Sequence, residues 1–511
     1  MTDEPMTDET SPTRTGQPAV LAVVCLALFF GVLNGSAVAV ILPEIGADLD
    51  IADADLSWVL SAYLLTYGVA IPFYGRLAGR FGARNLFLIG VTVFAIGSAL
   101  SAIAIDLPTL LGARTVQAAG GAAVPGLGMT LASRAFPDER RGFVLGIVSA
   151  TMGVGAAVGP LAAGVISEVA DWRALFGLSA ISIVSVPLGF RLLDRKEVRN
   201  DDPLDLVGGA LFGLGVAATL FFVTQGSKTG WTDSAAIAAA ALGLAALITF
   251  SVHQRHAPAP FIPPSLLNNR SYITLTLLGF VITFANFAAQ IGYPIAFNRL
   301  HAMSTLEIGI ALIPAALTTA IVGVVAGRIA DRTGATAPIR LGATLMAVAA
   351  IAISSTVGSS SWTVALIAMA FAAGFALVNT PLAAAVSLIV SPKDLASALS
   401  LNTMMFFIGG SFGATLFSSI VLNTAPDSNA WNPLHTGAGA GFSNAFAVLA
   451  IPVGIGLALS AFMPSRNAMI GDETTSSNQE VDQEWTHRCE VPWTPELEPD
   501  RAPTAVGATH D

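Results

Sequence analysis

The sequence predicts an all-α membrane protein with about 14 transmembrane helices, arranged as two six-helix bundles plus two extra central helices. Composition is the first reason, because 54% of the 511 residues are hydrophobic, only 11% are charged, and the mean hydropathy is +0.70. Soluble domains carry about 25% charged residues. The second reason is a repeat, since the segment GRLAGRFGAR at 75–84 returns as GRIADRTGA at 327–335. Such self-similarity indicates an internal duplication.

Apolar runs of about 20 residues, long enough to cross a bilayer, predict the individual helices. They lie at 19–43, 57–78, 85–105, 108–133, 142–166, 173–193, 204–225, 234–252, 271–297, 306–328, 338–358, 361–390, 395–422 and 441–463. The two copies of the repeat follow the second and the tenth run as short basic hairpins. This placement predicts an N-terminal bundle at 19–193, a linker with two extra transmembrane helices at 194–255, and a C-terminal bundle at 256–464.

The distribution of charge predicts how the chain is oriented. Most of the 24 Lys and Arg residues fall on one side of the predicted spans, and basic loops normally stay in the cytoplasm. We therefore expect a multi-pass protein of the cytoplasmic (plasma) membrane with both termini cytoplasmic. Residues 1–18 form the N-terminal cytoplasmic segment, and 465–511 form a disordered acidic tail. The net charge of -10 is concentrated at 44–55 and in that tail, and neither cluster favours nucleic-acid binding.

Five segments occur in the order typical of one transporter family: SWVLSAY at 57–63, the first hairpin at 75–84, RTVQAAGGA at 114–122, GAAVGPLAAG at 155–164 and WRALF at 172–176. On these motifs the chain resembles the major facilitator superfamily, in its fourteen-helix drug:proton antiporter branch, and is most similar to the tetracycline-exporter subgroup. The resemblance covers most of residues 20–420. It implies the major facilitator fold and a secondary active transporter that exports small amphipathic organic molecules or drugs by proton antiport, as in multidrug efflux and antibiotic resistance.

The hairpins and the fifth span supply the candidate gating or coupling residues. Hairpin glycines allow a tight turn with positive φ, arginines can bond helix-end carbonyls, and an acid can pair with an arginine when two halves rock. A Gly-Pro step allows close helix approach and a bend. The alternative for each is ordinary positive-inside charge or helix packing. The candidates are Arg76, Arg80, Arg84, Gly159, Pro160, Asp331 and Arg332.

Arg114 is the strongest single candidate for a substrate-binding residue. An arginine near the bilayer centre costs roughly 2.5 kcal/mol or more unless it faces a polar cavity or reaches the membrane surface. The alternative is therefore snorkelling toward the nearby outer edge. Gln117, almost one turn later, shares its face and can hydrogen-bond it or a substrate. We expect Arg114 to face a cavity.

Further polar residues inside apolar spans suggest a neutral, aromatic central pocket for an amphipathic molecule. Each such group needs a partner or water, and an interhelical hydrogen bond is the alternative role for every one. Asn286 and Gln290, at i and i+4, share one helix face. The substrate-binding set is Asn34, Tyr63, Tyr67, Arg114, Gln117, Asn286, Gln290, Asn379 and Asn402.

Membrane-embedded carboxylates, which proton-coupled exporters use, are scarce. By the resemblance, Asn34 or Gly35 in span 1, Ala156 in span 5 and Gly410 in span 13 stand where relatives have acids. Recognition of a tetracycline–metal complex through those acids is therefore not expected, and cationic substrates lack a counter-ion. The acids left to test for proton coupling are Asp331, Glu44, Glu168 and Asp171.

Enzymatic chemistry is not indicated. The six histidines lack metal-ligand spacing, and no phosphate-binding Gly-Lys loop is present. We expect no metal and no cofactor, a monomer in the lipid bilayer, and a small-molecule substrate with protons as the coupling ion. Two other functions remain open: a metabolite or lipid facilitator without standard proton coupling, and a non-transporting membrane sensor or scaffold.

Overall fold

The described part of the chain is almost entirely helical. The computed structural model describes residues 17–136, 138–193, 205–390, 394–424, 429–435 and 437–463. The helices in these ranges are α1 Gln17–Asp48, α2 Asp53–Phe81, α3 Ala83–Ala102, α4 Leu107–Gly121, α5 Val124–Arg134, α6 Asp138–Val169, α7 Arg173–Ala180, α8 Ser185–Leu192, α9 Leu206–Thr229, α10 Ser234–His256, α11 Pro264–Asn268, α12 Arg270–His301, α13 Thr305–Thr333, α14 Thr336–Thr356, α15 Ser361–Ile389, α16 Leu395–Asn423, α17 Ala440–Val448 and α18 Ala450–Leu459. The predicted tail, and the predicted N-terminal segment up to residue 16, lie outside the described residues.

Thirteen helical segments in the described ranges are long and apolar enough to cross a membrane. Each overlaps one predicted span, which confirms an all-α membrane fold. The remaining predicted span, 108–133, falls on α4 and α5, which meet at a turn at residues 122–123. Pro125, just inside α5, has no N–H with which to continue the hydrogen-bond ladder across this turn. The count of 14 spans stays a prediction.

The packing of the N-terminal half, α1–α8, recurs in the C-terminal half, α12–α18. In the first half α1 packs against α6, and α3 packs against α4 and α7; in the second, α12 packs against α16, and α14 packs against α15 and α17. Helices α9 and α10 pack mainly against each other, and α9 also contacts α2 and α16. The chain up to Met463 forms one compact unit. The predicted limits at 193 and 255 therefore stay predictions.

The two copies of the repeated segment end in the same turn. Gly82 has φ of 87° and Gly334 has φ of 83°, and their N–H groups bond the carbonyls of Ala78 and Ala330. Most of each basic segment is the last two turns of a helix, so the connection is shorter than predicted because nothing breaks the helix before the glycine. We call the end of the molecule with these turns the hairpin end, and the other end, where α1 leads into α2, the opposite end.

Helices α2 and α16 join the two halves along most of their length. Ser61 Oγ lies 3.0 Å from Thr415 Oγ1 near the opposite end. At mid-length a Cβ added at Gly68 would lie 3.0 Å from the Met404 carbonyl oxygen. Glycine therefore sets how closely these helices approach, as small residues do in other membrane helix pairs.

Helices α6 and α13 form the second junction between the halves. A Cβ at Gly164 would lie 2.6 Å from Leu306 Cα, and one at Gly309 would lie 2.5 Å from the Pro160 carbonyl oxygen. Both contacts lie toward the opposite end, because α6 ends there and α13 begins there. The two halves are thus in backbone contact at the opposite end.

Candidate functional site

Arg114 is completely buried in the middle of α4. Its Nη1 donates to Asn34 Oδ1 of α1 at 2.9 Å and to Gln117 Oε1 at 2.5 Å, and its Nε donates to the Val59 carbonyl of α2 at 3.3 Å. The side chain is fully buried among α1, α2 and α7, whereas a snorkelling side chain places its charged end in water. Three predicted site residues are therefore brought together, and we call Arg114, Asn34 and Gln117 the arginine network.

Two serines hold the amide groups of the network in place. Asn34 Nδ2 donates to Ser179 Oγ at 2.9 Å, and Gln117 Nε2 donates to Ser98 Oγ at 2.7 Å. Because the nitrogen of each amide donates a hydrogen bond to a serine, the oxygen of that amide is turned toward Arg114. Sequence reasoning missed both serines. A lone serine in an apolar helix usually bonds its own preceding turn, and these two do so as well.

Aromatic rings cover the guanidinium group. Arg114 Cζ lies 4.0 Å from the ring centroid of Tyr63 and 5.7 Å from that of Phe176. A cation over an aromatic face is attracted by the ring quadrupole, and more strongly where water is excluded. Tyr63 was predicted as a site residue. Phe176 belongs to the WRALF motif but was not predicted to reach the site.

The charge of Arg114 is not balanced by an acid in the part of the chain that the structure describes. Its Nη2 is buried and has no hydrogen-bond partner. The ion pairs in those ranges involve Arg173 and His253, not Arg114. Arginine stays protonated in proteins. The network is therefore a buried cation held by neutral oxygens and an aromatic face.

A line of aromatic rings leads from the network to the C-terminal half. The ring centroids of Tyr63 and Tyr67 are 5.6 Å apart, those of Tyr67 and Phe407 are 4.4 Å apart, and those of Phe407 and Phe287 are 6.3 Å apart. We call these four residues the aromatic column. It runs from α2 to α16 and α12, so the arginine network is linked to the junction between the halves.

Phe287 also explains why Gly410 is not an acid here. A Cβ added at Gly410 would overlap the Phe287 ring. A carboxylate at this position would need Phe287 to move. The space where the resemblance places an acid is therefore filled by an aromatic side chain.

The four predicted polar residues of the C-terminal half stand apart from the arginine network. Asn286 is 8% exposed, and Gln290, Asn379 and Asn402 are half-buried. Across the described ranges, none of them forms a hydrogen bond with the network. Asn402 Oδ1 is buried without a hydrogen-bond partner. Their place in a shared pocket stays a prediction.

Arg84 ties helices together within the N-terminal half. It is buried, and it donates from Nε to the Leu193 carbonyl at 3.0 Å and from Nη2 to the Phe190 carbonyl at 2.9 Å. These carbonyls lie at the end of α8, where a cation is favoured by the helix dipole. Arg84 therefore anchors α3 to α8, and these contacts do not cross to the other half.

The other predicted gating residues lie at both ends of the molecule. Arg80 and Arg332 are exposed at the hairpin end, while the side chains of Arg76 and Asp331 lie outside the described part of the chain. In α6 a Cβ at Gly159 would overlap the Ser36 hydroxyl of α1, and the Pro160 carbonyl contacts α13. Gly159 and Pro160 therefore lie where α6 packs closely. The gating role of all six stays a prediction.

Two halves with the same internal packing, joined by paired helices, are the architecture typical of secondary transporters of the membrane. The chain belongs to the Major Facilitator Superfamily, whose sequence model matches residues 24–414. It is 31% identical to the cephamycin export protein CmcT of Amycolatopsis lactamdurans in an alignment of 445 positions that covers 84% of this chain and 90% of that protein. It is 26% identical to the multidrug transporter MdtP of Bacillus subtilis over 399 residues, covering 78% and 74% of the two chains.

The fold is shared with a solved transporter of low sequence identity. The xylose transporter XylE from E. coli, in a partially occluded inward-open conformation, aligns with a TM-score of 0.59 at 12% identity and covers 89% of this chain and 99% of that one. At this identity the likeness shows the fold alone.

Proposed function

We propose that the protein is a secondary active transporter that exports small amphipathic organic molecules or drugs across the cytoplasmic membrane by proton antiport with alternating access. In this proposal both termini are cytoplasmic, so the hairpin end faces the cytoplasm and the opposite end faces outward. The relatives described as a cephamycin export protein and a multidrug transporter support the direction of transport.

The position of Glu44 is the observation that supports proton coupling. Glu44 lies in the last turns of α1, half-buried, and its carboxyl group faces Ser167 of α6, the backbone of Trp172, and Thr305 at the start of α13. Its Oε2 is buried and accepts no hydrogen bond. Glu44 thus lies between the two halves, beside the close Gly164 contact.

The charged groups around Glu44 do not neutralise it. Asp171, in the connection after α6, is the acid whose charge acts on Glu44. Arg173 is engaged elsewhere, since its Nη1 lies 2.8 Å from Asp171 Oδ2 and 2.7 Å from Asp48 Oδ2. A carboxylate with a buried, unbonded oxygen is costly when ionised. The closed opposite end therefore favours protonated Glu44.

This preference couples a proton to the movement of the halves. When α6 and α13 separate, water reaches Glu44 and the ionised form becomes acceptable; a proton taken up from outside then favours closure. In this proposal the proton leaves toward the hairpin end only when a substrate molecule binds from that side and displaces it, so proton and substrate cross in opposite directions. The protonated carrier thus closes the opposite end, and the deprotonated carrier opens it again with substrate bound.

The test is transport in proteoliposomes with an imposed pH gradient, using a panel of antibiotics and naphthalene probes of three charge types. Wild-type protein should accumulate a panel compound against its own gradient. Glu44→Gln should keep downhill flux but lose the response to pH, and the exposed Glu168→Gln should behave as wild type. Coupled flux in Glu44→Gln would refute the role of this residue.

The same experiment separates the two alternatives. Wild-type flux that is indifferent to the pH gradient would favour a facilitator of metabolites or lipids. Absence of flux for every panel compound, with folded protein in the liposomes, would favour a sensor or scaffold.

A further inference from the structure

The arginine network has more donors than its protein partners use. A guanidinium group carries five N–H donors. Nε donates a hydrogen bond to the Val59 carbonyl, and Nη1 donates to the side-chain oxygens of Asn34 and Gln117. The Nη2 donors are buried and reach no acceptor. An unsatisfied donor on a buried charged group costs more than one on a neutral group, so the group is poised for an acceptor from outside the protein.

Electrostatics decides what kind of acceptor fits. Asn34 Oδ1, which lies 2.9 Å from Nη1, is neutral, and the arginine network has no carboxylate partner among the described residues. A cationic ligand would be repelled by Arg114 at close range, and a neutral ligand would leave the charge unbalanced. An anionic group supplies both the charge and the acceptor oxygens, and a carboxylate matches the planar fork of the guanidinium.

Access to this position is controlled by the aromatic column. Tyr63 covers the guanidinium at 4.0 Å, and its ring is backed by Tyr67, which contacts Phe407 of the C-terminal half. Separation of α2 from α16 removes the support of Phe407 and allows the Tyr63 ring to move. The guanidinium is thus shielded while the halves are in contact here and becomes available when they separate.

We infer that this transporter takes amphipathic substrates that carry one carboxylate or a similar anionic group, and that Arg114 binds that group through Nη2. The inference rests on the proposed export function. It adds the substrate class, because the rings of the aromatic column offer an apolar surface beside the charged donor.

The test compares three probes of equal size: 2-naphthoate, 2-naphthamide and 2-naphthylmethylammonium. Their dissociation constants are measured by calorimetry on the purified full-length protein. Wild type should bind 2-naphthoate about tenfold or more tightly than the amide, and the ammonium probe most weakly, because charge-assisted hydrogen bonds to arginine are the stronger ones.

Asn34→Asp is the decisive variant, because it places a carboxylate on Nη1 with almost no change in size. The internal acid should neutralise Arg114, so the preference for 2-naphthoate should fall by about tenfold or more. The control Asn298→Asp adds the same charge on α12, where the asparagine Nδ2 bonds the Met303 carbonyl. That control should keep the wild-type order. Thermal unfolding of each variant shows that it is folded.

The inference is overturned if wild type fails to bind 2-naphthoate, if it binds the amide or ammonium probe as tightly, or if Asn34→Asp keeps the full preference. Flux of the same probes is measured separately. Export of neutral or cationic compounds without anion preference would support the proposed transport function and contradict the anionic substrate class. Selective 2-naphthoate binding without any flux would support anion binding by Arg114 and contradict the proposed transport function.

Discussion

Tyr67 of α2 and Phe407 of α16 place their ring centroids 4.4 Å apart, across the junction between the two halves. Gly68 makes this possible, because a Cβ there would lie 3.0 Å from Phe407 Cβ. The pair therefore joins the arginine network of one half to the aromatic residues of the other. Its energy should be measurable as a coupling between two substitutions.

We predict that Tyr67→Ala and Phe407→Ala are not additive. Aromatic pairs contribute about 0.5–1.5 kcal/mol beyond the area they bury, and the double variant should show a coupling energy of this size. Chemical unfolding of the four proteins in detergent gives the value. Tyr67→Ala combined with Phe446→Ala, whose ring stacks on Tyr293 elsewhere in the C-terminal half, should be additive. Additivity in the Tyr67/Phe407 cycle would mean that the ring contact carries no stability.

We predict that Gly309→Ala weakens the closed contact at the opposite end. The added methyl group would lie 2.5 Å from the Pro160 carbonyl oxygen, and overpacking of this kind costs about 1–3 kcal/mol unless the helices separate. Labelling of Thr305→Cys by an impermeant maleimide, in a background without Cys25 and Cys489, should become faster. Gly454→Ala is the control, because its Cβ would meet nothing within 4 Å. Unchanged labelling in Gly309→Ala would show that the junction absorbs a methyl group.

We predict that Arg84→Lys destabilises the N-terminal half. Lysine keeps the charge but cannot reach both the Leu193 and Phe190 carbonyls as the guanidinium does. Loss of hydrogen bonds to a charged group costs about 1.5–3 kcal/mol. Unfolding of the purified variant is compared with that of Arg80→Lys, which changes an exposed arginine of the same segment and should be neutral. Equal stability of the two variants would contradict the anchoring role of Arg84.

Arg340 suggests that the second half is anchored in a similar way. It donates from Nε to Ser460 Oγ at 3.3 Å and from Nη2 to the Ser460 carbonyl at 3.2 Å. Ser460 lies at the end of the last span, as Phe190 and Leu193 lie at the end of the sixth. Because Arg340 is exposed whereas Arg84 is buried, Arg340→Lys should lower the stability by less than Arg84→Lys does in the same unfolding measurement.

The fold could be predicted because few backbone structures are stable in a bilayer. Lipid offers no hydrogen-bond partners, so an apolar run of sufficient length must be helical, and the repeated hairpins located the two halves. The turn glycines, Gly82 and Gly334, followed from the local pattern. The break between α4 and α5 did not, because Pro125 interrupts a helix while Pro160 and Pro294 lie inside unbroken ones.

The site could be predicted only at residues whose burial without a partner would cost much free energy. Arg114 was found because a charge in an apolar helix needs compensation, and Gln117 because it shares the same face. Ser98 and Ser179 were missed because their role depends on which helices become neighbours. The same holds for Phe287 and Phe407, which look like ordinary apolar residues until the two halves are brought together.

The connection between the halves offers a test by pH at Asp205, which lies just before α9. Asp205 Oδ1 accepts from the Gly208 N–H at 2.7 Å and lies 2.7 Å from His253 Nε2 of α10, while Oδ2 accepts from the Phe261 N–H at 3.0 Å. Burial alone would raise the pKa of this carboxyl, but the bonds from Gly208, His253 and Phe261 outweigh it and lower the pKa below its usual value. The ionised form therefore stabilises the fold.

We predict that Asp205→Asn is less stable than wild type at pH 7 by about 1–3 kcal/mol, because asparagine can still cap α9 but cannot accept on both sides. A group with a lowered folded pKa stabilises fully above its unfolded pKa of about 3.9, and this stabilisation is lost as the pH falls through the folded pKa. The difference between the two proteins should therefore shrink below about pH 4, as measured by unfolding in detergent from pH 7 to pH 3. Asp233→Asn is the control, because Asp233 caps α10 in the same way through the N–H groups of Ala235 and Ala236. A stability difference for Asp205→Asn that persists unchanged at pH 3 would show that the charge of Asp205 contributes nothing.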